Sequence, residues 1–130
     1  LDSRTYLLSK TGMDKDLFDF FCSNIKHLKD ISAIRPAAKI CQLLVVSHYK
    51  KQEGIILPEK NLEEILESSF DWLINNTKVA SKAYSMRTLY ILGKHYDWIY
   101  PELKTILNKD FPNHSAAYKA VAKEVLKKIK

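Results

Sequence analysis

Apolar residues recur three and four positions apart from one end of this chain to the other. That spacing places apolar side chains on one face of an α-helix. Strict alternation of apolar and polar residues, the pattern of a half-buried strand, is not sustained over a strand's length. The pattern therefore predicts an all-α protein of about six helices.

The first predicted helix begins after Asp14, a suitable N-cap, and ends near Asp30. The second runs from about Ser32 to Glu53, with Pro36 in its opening turn and Gly54 as its stop signal. The apolar face predicted for the first helix comprises Leu17, Phe18, Phe21, Cys22, Ile25 and Leu28.

Pro58 opens the third predicted helix, which ends at Asn75 and Asn76. Thr77 is the predicted N-cap of the fourth helix, which extends to about His95. The residues predicted to lie in the core of the third, fourth and sixth helices are Trp72, Tyr84, Leu89, Val121 and Leu126.

Asp97 is the predicted N-cap of the fifth helix, and Pro101 then falls in the first turn. The segment 111–113, Phe-Pro-Asn, interrupts the chain before the sixth helix. That last helix has the clearest amphipathic pattern, with its apolar positions at Tyr118, Val121, Ala122, Val125, Leu126 and Ile129.

Short connections between successive helices favour three antiparallel pairs. Aligning the fourth helix with the sixth gives an internal offset of 37 residues, and aligning the second with the fourth gives 45. HEAT and armadillo units repeat every ~40–47 residues. We therefore expect a short right-handed α-solenoid of three HEAT-like hairpins, with a plain helical bundle as the alternative.

Three segments, 71–74, 78–86 and 97–103, resemble short bacterial HEAT-like proteins of the armadillo and DNA-alkylation-repair type. This resemblance implies a helical surface that works by binding. Similar short sequences have been labelled adenylosuccinate lyase, an activity that would make the chain an enzyme. The mobile Ser-Ser-x-Met-Pro-x-Lys-x-Asn loop of that lyase superfamily does not occur in this sequence, so the enzyme alternative is disfavoured.

The length of 130 residues fits one domain, 1–130, and we expect residues to precede Leu1 because it is not a methionine. No apolar run approaches the ~20 residues of a membrane span, and no signal peptide is recognisable at the start. We expect a cytoplasmic protein without membrane association. Cys22 and Cys41 fall in apolar helical stretches and are predicted to be small buried hydrophobes.

The motifs that carry metal, phosphate or nucleophile chemistry are absent from the sequence. The four histidines lack metal-protease spacing, and three glycines are too few for a nucleotide-binding loop. We therefore assign no catalytic, cofactor or metal residues. Through the resemblance, the pairs 71–72 and 97–98, both Asp-Trp, are candidates for contact with a nucleobase, although core packing and helix capping explain them better.

Charge divides unevenly along the chain. Residues 1–77 carry 10 Lys and Arg against 11 Asp and Glu, whereas residues 78–130 carry 11 against 4. If equivalent helix positions line one surface, the basic half forms a candidate binding surface. Its predicted members are Lys82, Arg87, Lys94, Lys119, Lys123, Lys127 and Lys128.

The leading functional prediction is a non-catalytic scaffold that engages a protein partner through its helical surface. The alternative is non-specific nucleic-acid binding through the basic half, where lysine predominates and backbone contact is expected rather than base recognition. Neither the identity of the partner nor the oligomeric state follows from the sequence.

Overall fold

A computed structural model describes residues 15–50, 56–75 and 77–129 of the chain, with side chains from Leu17 onward. This part of the chain is all helix and turn, without a strand, and it contains six α-helices, as predicted. They are α1 (Lys15–Asn24), α2 (Ile31–Lys50), α3 (Glu59–Ile74), α4 (Val79–Gly93), α5 (Ile99–Asp110) and α6 (Ala116–Lys128).

Several predicted helix boundaries are confirmed. Pro58 is the N-cap of α3, and Asn75 is its C-cap. A 3₁₀ turn at Phe111–Asn113 separates α5 from α6, where the sequence predicted an interruption. Ser115 caps α6, because its Oγ accepts a hydrogen bond from the backbone N–H of Tyr118. The predicted N-cap Asp14 and stop residue Gly54 lie outside the described residues.

Two predicted caps are wrong. Thr77 does not cap α4, whose N-cap is Lys78; its hydroxyl instead donates to the carbonyl of Trp72 at 2.6 Å. Asp97 does not cap α5, whose N-cap is Trp98 and has no side-chain cap hydrogen bond. Pro101 nevertheless falls in the first turn of α5, as predicted. Backbone N–H groups in a first turn have no partner within the helix, so the absence of an N–H from proline costs no helical hydrogen bond there.

The first helix is shorter than predicted, and the second begins one residue earlier. The α-helical hydrogen bonding of α1 ends at Asn24, whose side-chain amide donates to the Phe20 carbonyl at 2.7 Å. A 3₁₀ turn, Ile25–His27, follows. Asp30 then accepts a hydrogen bond from the N–H of Ser32 at 2.9 Å, so the first turn of α2 has a carboxylate cap. Pro36 is the sixth residue of α2 and lies in its second turn, not in the opening turn as predicted.

α4 is the central helix of the fold. It packs against α2 and α3 most extensively, and it also contacts α5 and α6. α1 packs mainly on α3, so the first two helices do not form the closely packed hairpin expected from their short connection. Three apolar side chains of α4, Met86, Leu89 and Leu92, have no exposed surface. Because α4 has neighbours on four sides, its buried positions do not form a single narrow stripe.

Gly93, the last residue of α4, allows α5 to approach closely. A Cβ atom at this position would overlap the ring of Tyr100. The Tyr100 hydroxyl donates to the carbonyl of Tyr90 at 2.8 Å, which holds the ring against the end of α4. This contact is the local reason for a glycine in the helix.

The described helices share one continuous apolar core. Trp72 and Leu89 belong to it, as predicted, whereas Tyr84, Val121 and Leu126 are only half-buried. Leu17, predicted to lie on the apolar face of α1, is 38% exposed.

Cys22 and Cys41 are fully buried free thiols, which confirms their prediction as small apolar residues. Burial, with smaller effects from Glu64 and Asp19, raises the pKa of the Cys22 thiol to about 12. The thiol therefore stays protonated and unreactive at neutral pH.

Candidate polyanion-binding surface

Lys82, the first predicted member of the basic surface, does not belong to it. Its side chain is buried, at 5% exposure, and its ammonium donates to the carbonyls of Leu73 at 2.6 Å and Asn75 at 2.8 Å. These carbonyls lie at the C-terminus of α3, which favours a positive charge. Burial lowers the pKa of Lys82, and the nearby charge of Asp110 opposes that shift. Lys82 is thus a structural cap of α3.

Arg87, Lys94 and Lys128 do come together, at the junction of α4 and α6. Glu124 lies 3.8 Å from Arg87 and 3.3 Å from Lys128, measured between nitrogen and carboxylate oxygen. The ammonium groups of Lys94 and Lys128 lie 5.0 and 5.6 Å from the centre of the Tyr90 ring, within range of a cation–π interaction. Three cations therefore surround one carboxylate and one aromatic ring.

The sequence prediction missed two cations of α2, Arg35 and Lys39. With Pro36 and Tyr84 they line an open groove of about 190 Å³ between α2 and α4. The sequence did contain a signal for this pair, their spacing of four residues, because residues four apart on a helix project from the same face. The prediction missed them because the charge count was taken over the whole first half of the chain, where acidic residues outnumber basic ones.

These two clusters form one surface. Tyr84 borders the groove and Arg87 belongs to the α6 cluster, and these two residues, three positions apart on α4, lie on adjacent parts of its surface. We call this surface the basic face. It comprises Arg35, Lys39, Tyr84, Arg87, Tyr90, Lys94, Glu124 and Lys128.

The remaining predicted residues lie around α6. Lys123 and Lys127 are exposed. Lys119 is half-buried, and its ammonium lies 5.7 Å from the ring centre of Phe111. Nine residues separate Lys119 from Lys128, two and a half helical turns, which places them on opposite flanks of α6. The structure therefore does not bring Lys119 to the basic face.

Charge is segregated by helix, which the count of charged residues along the chain did not show. α2, α4 and α6 together contain a single acidic residue, Glu124. Their nine basic residues are Arg35, Lys39, Lys50, Lys82, Arg87, Lys119, Lys123, Lys127 and Lys128. α4 contacts both α2 and α6, so this excess of positive charge belongs to one contiguous part of the molecule.

The other three helices have the opposite balance. α1, α3 and α5 contain nine acidic residues and four lysines, and five of the acidic residues are in α3. α3 packs against both α1 and α4. The molecule therefore has a basic set of helices and an acidic set, and a polyanion approaching it is attracted to α2, α4 and α6.

The two Asp-Trp pairs have different environments. Trp72 is a core residue, at 4% exposure, as its apolar position predicted. Trp98 is 53% exposed and stacks on Phe70 with 5.7 Å between ring centres. Neither tryptophan belongs to the basic face.

No helix in the described ranges is long and apolar enough to cross a membrane. Within those ranges, no three histidine, cysteine, aspartate or glutamate side chains converge in a way that would hold a metal ion. No protein-family model, curated protein or solved structure matches the chain. The HEAT-like resemblance therefore remains a prediction.

Proposed function

We propose that this protein is a non-catalytic module that binds the phosphate backbone of nucleic acid through its basic face. The observation that carries the proposal is the charge segregation on three contiguous helices, where eight basic residues besides the buried Lys82 stand against one acidic residue, Glu124. Phosphate backbones are attracted to such a surface because each bound cation releases counterions from the nucleic acid.

The make-up of the basic face favours backbone contact over base recognition. Arg35 and Arg87 supply planar donors that match phosphate oxygens, whereas Lys39, Lys94 and Lys128 act as point charges. The rings of Tyr84 and Tyr90 are half-buried beside these cations. We therefore expect little dependence of affinity on nucleotide sequence.

A fluorescence-anisotropy titration tests the proposal. The probes are labelled duplexes of unrelated sequence, and the competitor is heparin, a polyanion without bases. We expect the duplexes to bind with similar affinity, that affinity to fall steeply as salt is added, and heparin to compete. Absence of duplex binding at low salt would refute the proposal, and a strong preference for one sequence would refute backbone recognition.

Binding of a protein partner is the second candidate, and one observation favours it. Phe20 on α1 is 65% exposed and, with Leu17, borders an apolar groove lined by α1 and the turn that follows it. Exposed apolar grooves of this kind are typical of sites where a partner helix docks. A photo-crosslinking amino acid at position 20 tests this candidate. A discrete adduct with another protein at position 20, absent for the same probe at exposed Ile74, would support it.

A further inference from the structure

A cavity of about 310 Å³ lies away from the basic face, between the α1–α2 connection and the C-terminal end of α3. This volume is near the lower end of the roughly 300–1,000 Å³ typical of ligand sites, so it suits a small molecule. The lining residues that decide its chemistry are Lys26, Lys29, Ile34, Ser68, Asp71 and Trp72. Its walls thus combine an apolar part with cations, one carboxylate and several hydrogen-bonding groups.

Ser68 is a buried polar residue of the cavity wall. Its side chain lines the cavity at 2% exposure, and its hydroxyl has no hydrogen-bond partner in the described part of the protein. The neighbouring polar groups are already engaged: Thr77 donates to the Trp72 carbonyl, and the side-chain amide of Asn75 donates to the Asp71 carbonyl at 2.8 Å. The Ser68 hydroxyl itself has almost no accessible surface, so the groups that can hold a ligand are the charged and apolar ones.

The lining groups define the ligand by charge and shape. Lys26 and Lys29 are exposed cations that suit a carboxylate, whereas the exposed carboxylate of Asp71 suits an ammonium group. Trp72 and Ile34 offer a buried apolar wall for a hydrocarbon or aromatic group. A purely anionic ligand would leave Asp71 facing a like charge, and a purely cationic one would face both lysines.

We propose that this cavity binds a free amino acid with a bulky apolar side chain. Its carboxylate pairs with Lys26 and Lys29, its ammonium pairs with Asp71, and its side chain packs against Trp72. Lys26, Lys29, Asp71 and Trp72 do not belong to the basic face, so the proposal stands independently of nucleic-acid binding.

Tryptophan fluorescence provides the measurement. The chain has two tryptophans, and replacing the exposed one, Trp98→Phe, leaves Trp72 as the sole reporter inside the cavity. The probes are L-phenylalanine, 3-phenylpropanoate, which lacks the ammonium group, and 2-phenylethylamine, which lacks the carboxylate. We expect a saturable change with L-phenylalanine and at least about tenfold weaker binding of each truncated probe, because each loses a charge-assisted interaction.

Variants of the cavity residues in this background identify the contacts. Lys26→Gln combined with Lys29→Gln should weaken L-phenylalanine binding by about tenfold or more and abolish its advantage over 2-phenylethylamine. The matched control is Lys104→Gln, which removes an exposed lysine of α5 outside the cavity and should leave binding unchanged.

Three results would overturn the proposal. One is a Trp72 signal that does not saturate with L-phenylalanine. Another is equal binding of all three probes, which would show that the charged groups are not recognised. The third is a double lysine variant that binds as well as the Lys104→Gln control.

Discussion

At the scale of single residues, Lys82 shows how context changes the role of a side chain. The sequence places it in a basic stretch, where a lysine is expected to be solvated. In the fold it reaches the last turn of α3 and donates to two carbonyls that otherwise lack partners inside the helix. No local pattern in α4 could reveal this, because both carbonyls belong to the preceding helix and connection.

Replacing Lys82 with Met should destabilise the fold, because it keeps the apolar stem but removes the capping ammonium. We expect the free energy of unfolding to fall by about 2–4 kcal/mol in urea denaturation, since hydrogen bonds from a charged donor contribute about 1.5–3 kcal/mol each and are partly redundant here. Lys123→Met, at an exposed site on α6, is the control and should change stability by less than about 0.5 kcal/mol. Equal stability of the two variants would show that the Lys82 contacts contribute little.

His48 links the end of α2 to the start of α3. Its Nδ1 accepts a hydrogen bond from the Leu57 N–H at 2.9 Å, which requires that nitrogen to be unprotonated. Burial lowers the pKa of His48 below its ordinary value of 6.5, as does the charge of His95, while Glu59 opposes the shift. The folded protein therefore prefers the neutral form of this histidine.

The sign of the resulting pH effect follows from linkage. The unfolded chain binds the proton of His48 more tightly, so the contribution of His48 to stability is present above about pH 6.5 and is lost as the pH falls below it. His48→Gln keeps an acceptor but cannot titrate. We expect this variant to lose less stability than the wild type between about pH 7.5 and pH 5, measured by thermal melts. His27→Gln, at an exposed site, should keep the wild-type dependence; an unchanged pH dependence in His48→Gln would contradict the assignment.

At the scale of helices, burial of α4 by four neighbours decides which apolar residues stabilise the fold. Leu89 has no exposed surface, whereas Leu126 on α6 is half-buried, although periodicity assigned both to the core. Periodicity identifies the face of a helix but not how many neighbours cover it. That number depends on tertiary contacts.

Leu89→Ala should therefore cost more than Leu126→Ala. Removing a fully enclosed leucine leaves a cavity and typically costs about 2–5 kcal/mol, while a half-buried site relaxes toward solvent. Urea denaturation of the two variants measures the difference. If Leu126→Ala destabilises as much as Leu89→Ala, α4 is not the centre of the core.

The existence of the helices was predictable, and their ends were predictable only in part. Proline and asparagine located both ends of α3, because proline favours a helix start and Asn75 ends the apolar pattern. Thr77 and Asp97 are residue types that often cap helices. Each lies one position before the actual N-cap, which is Lys78 for α4 and Trp98 for α5. The Thr77 hydroxyl closes the end of α3 instead of opening α4, a choice that depends on where the connection turns.

At the scale of the whole molecule, the sequence revealed an excess of positive charge but not its location. Counting along the chain assigned it to residues 78–130. The fold instead places the positive charge on alternate helices. Arg35 and Lys39 lie beside α4, whereas Lys82 is buried against the end of α3. A sequence count cannot make this distinction, because it depends on which helices contact α4.

The salt dependence of duplex DNA binding by two matched triple variants tests the basic face most directly. The first variant combines Arg35→Gln, Lys39→Gln and Arg87→Gln, and the second combines Lys60→Gln, Lys104→Gln and Lys109→Gln. Each set removes three positive charges and one exposed ion pair, Arg87 with Glu124 or Lys60 with Asp19. Exposed pairs contribute little to stability, so both variants should fold.

The logarithm of affinity is plotted against the logarithm of salt concentration for both variants and the wild type. The basic face predicts that the first variant loses about two to three units of slope, since each phosphate contact on duplex DNA contributes about 0.9. The second variant should retain nearly the wild-type slope. Equal losses of slope in both variants would show that net charge, and not the surface of α2, α4 and α6, holds the nucleic acid.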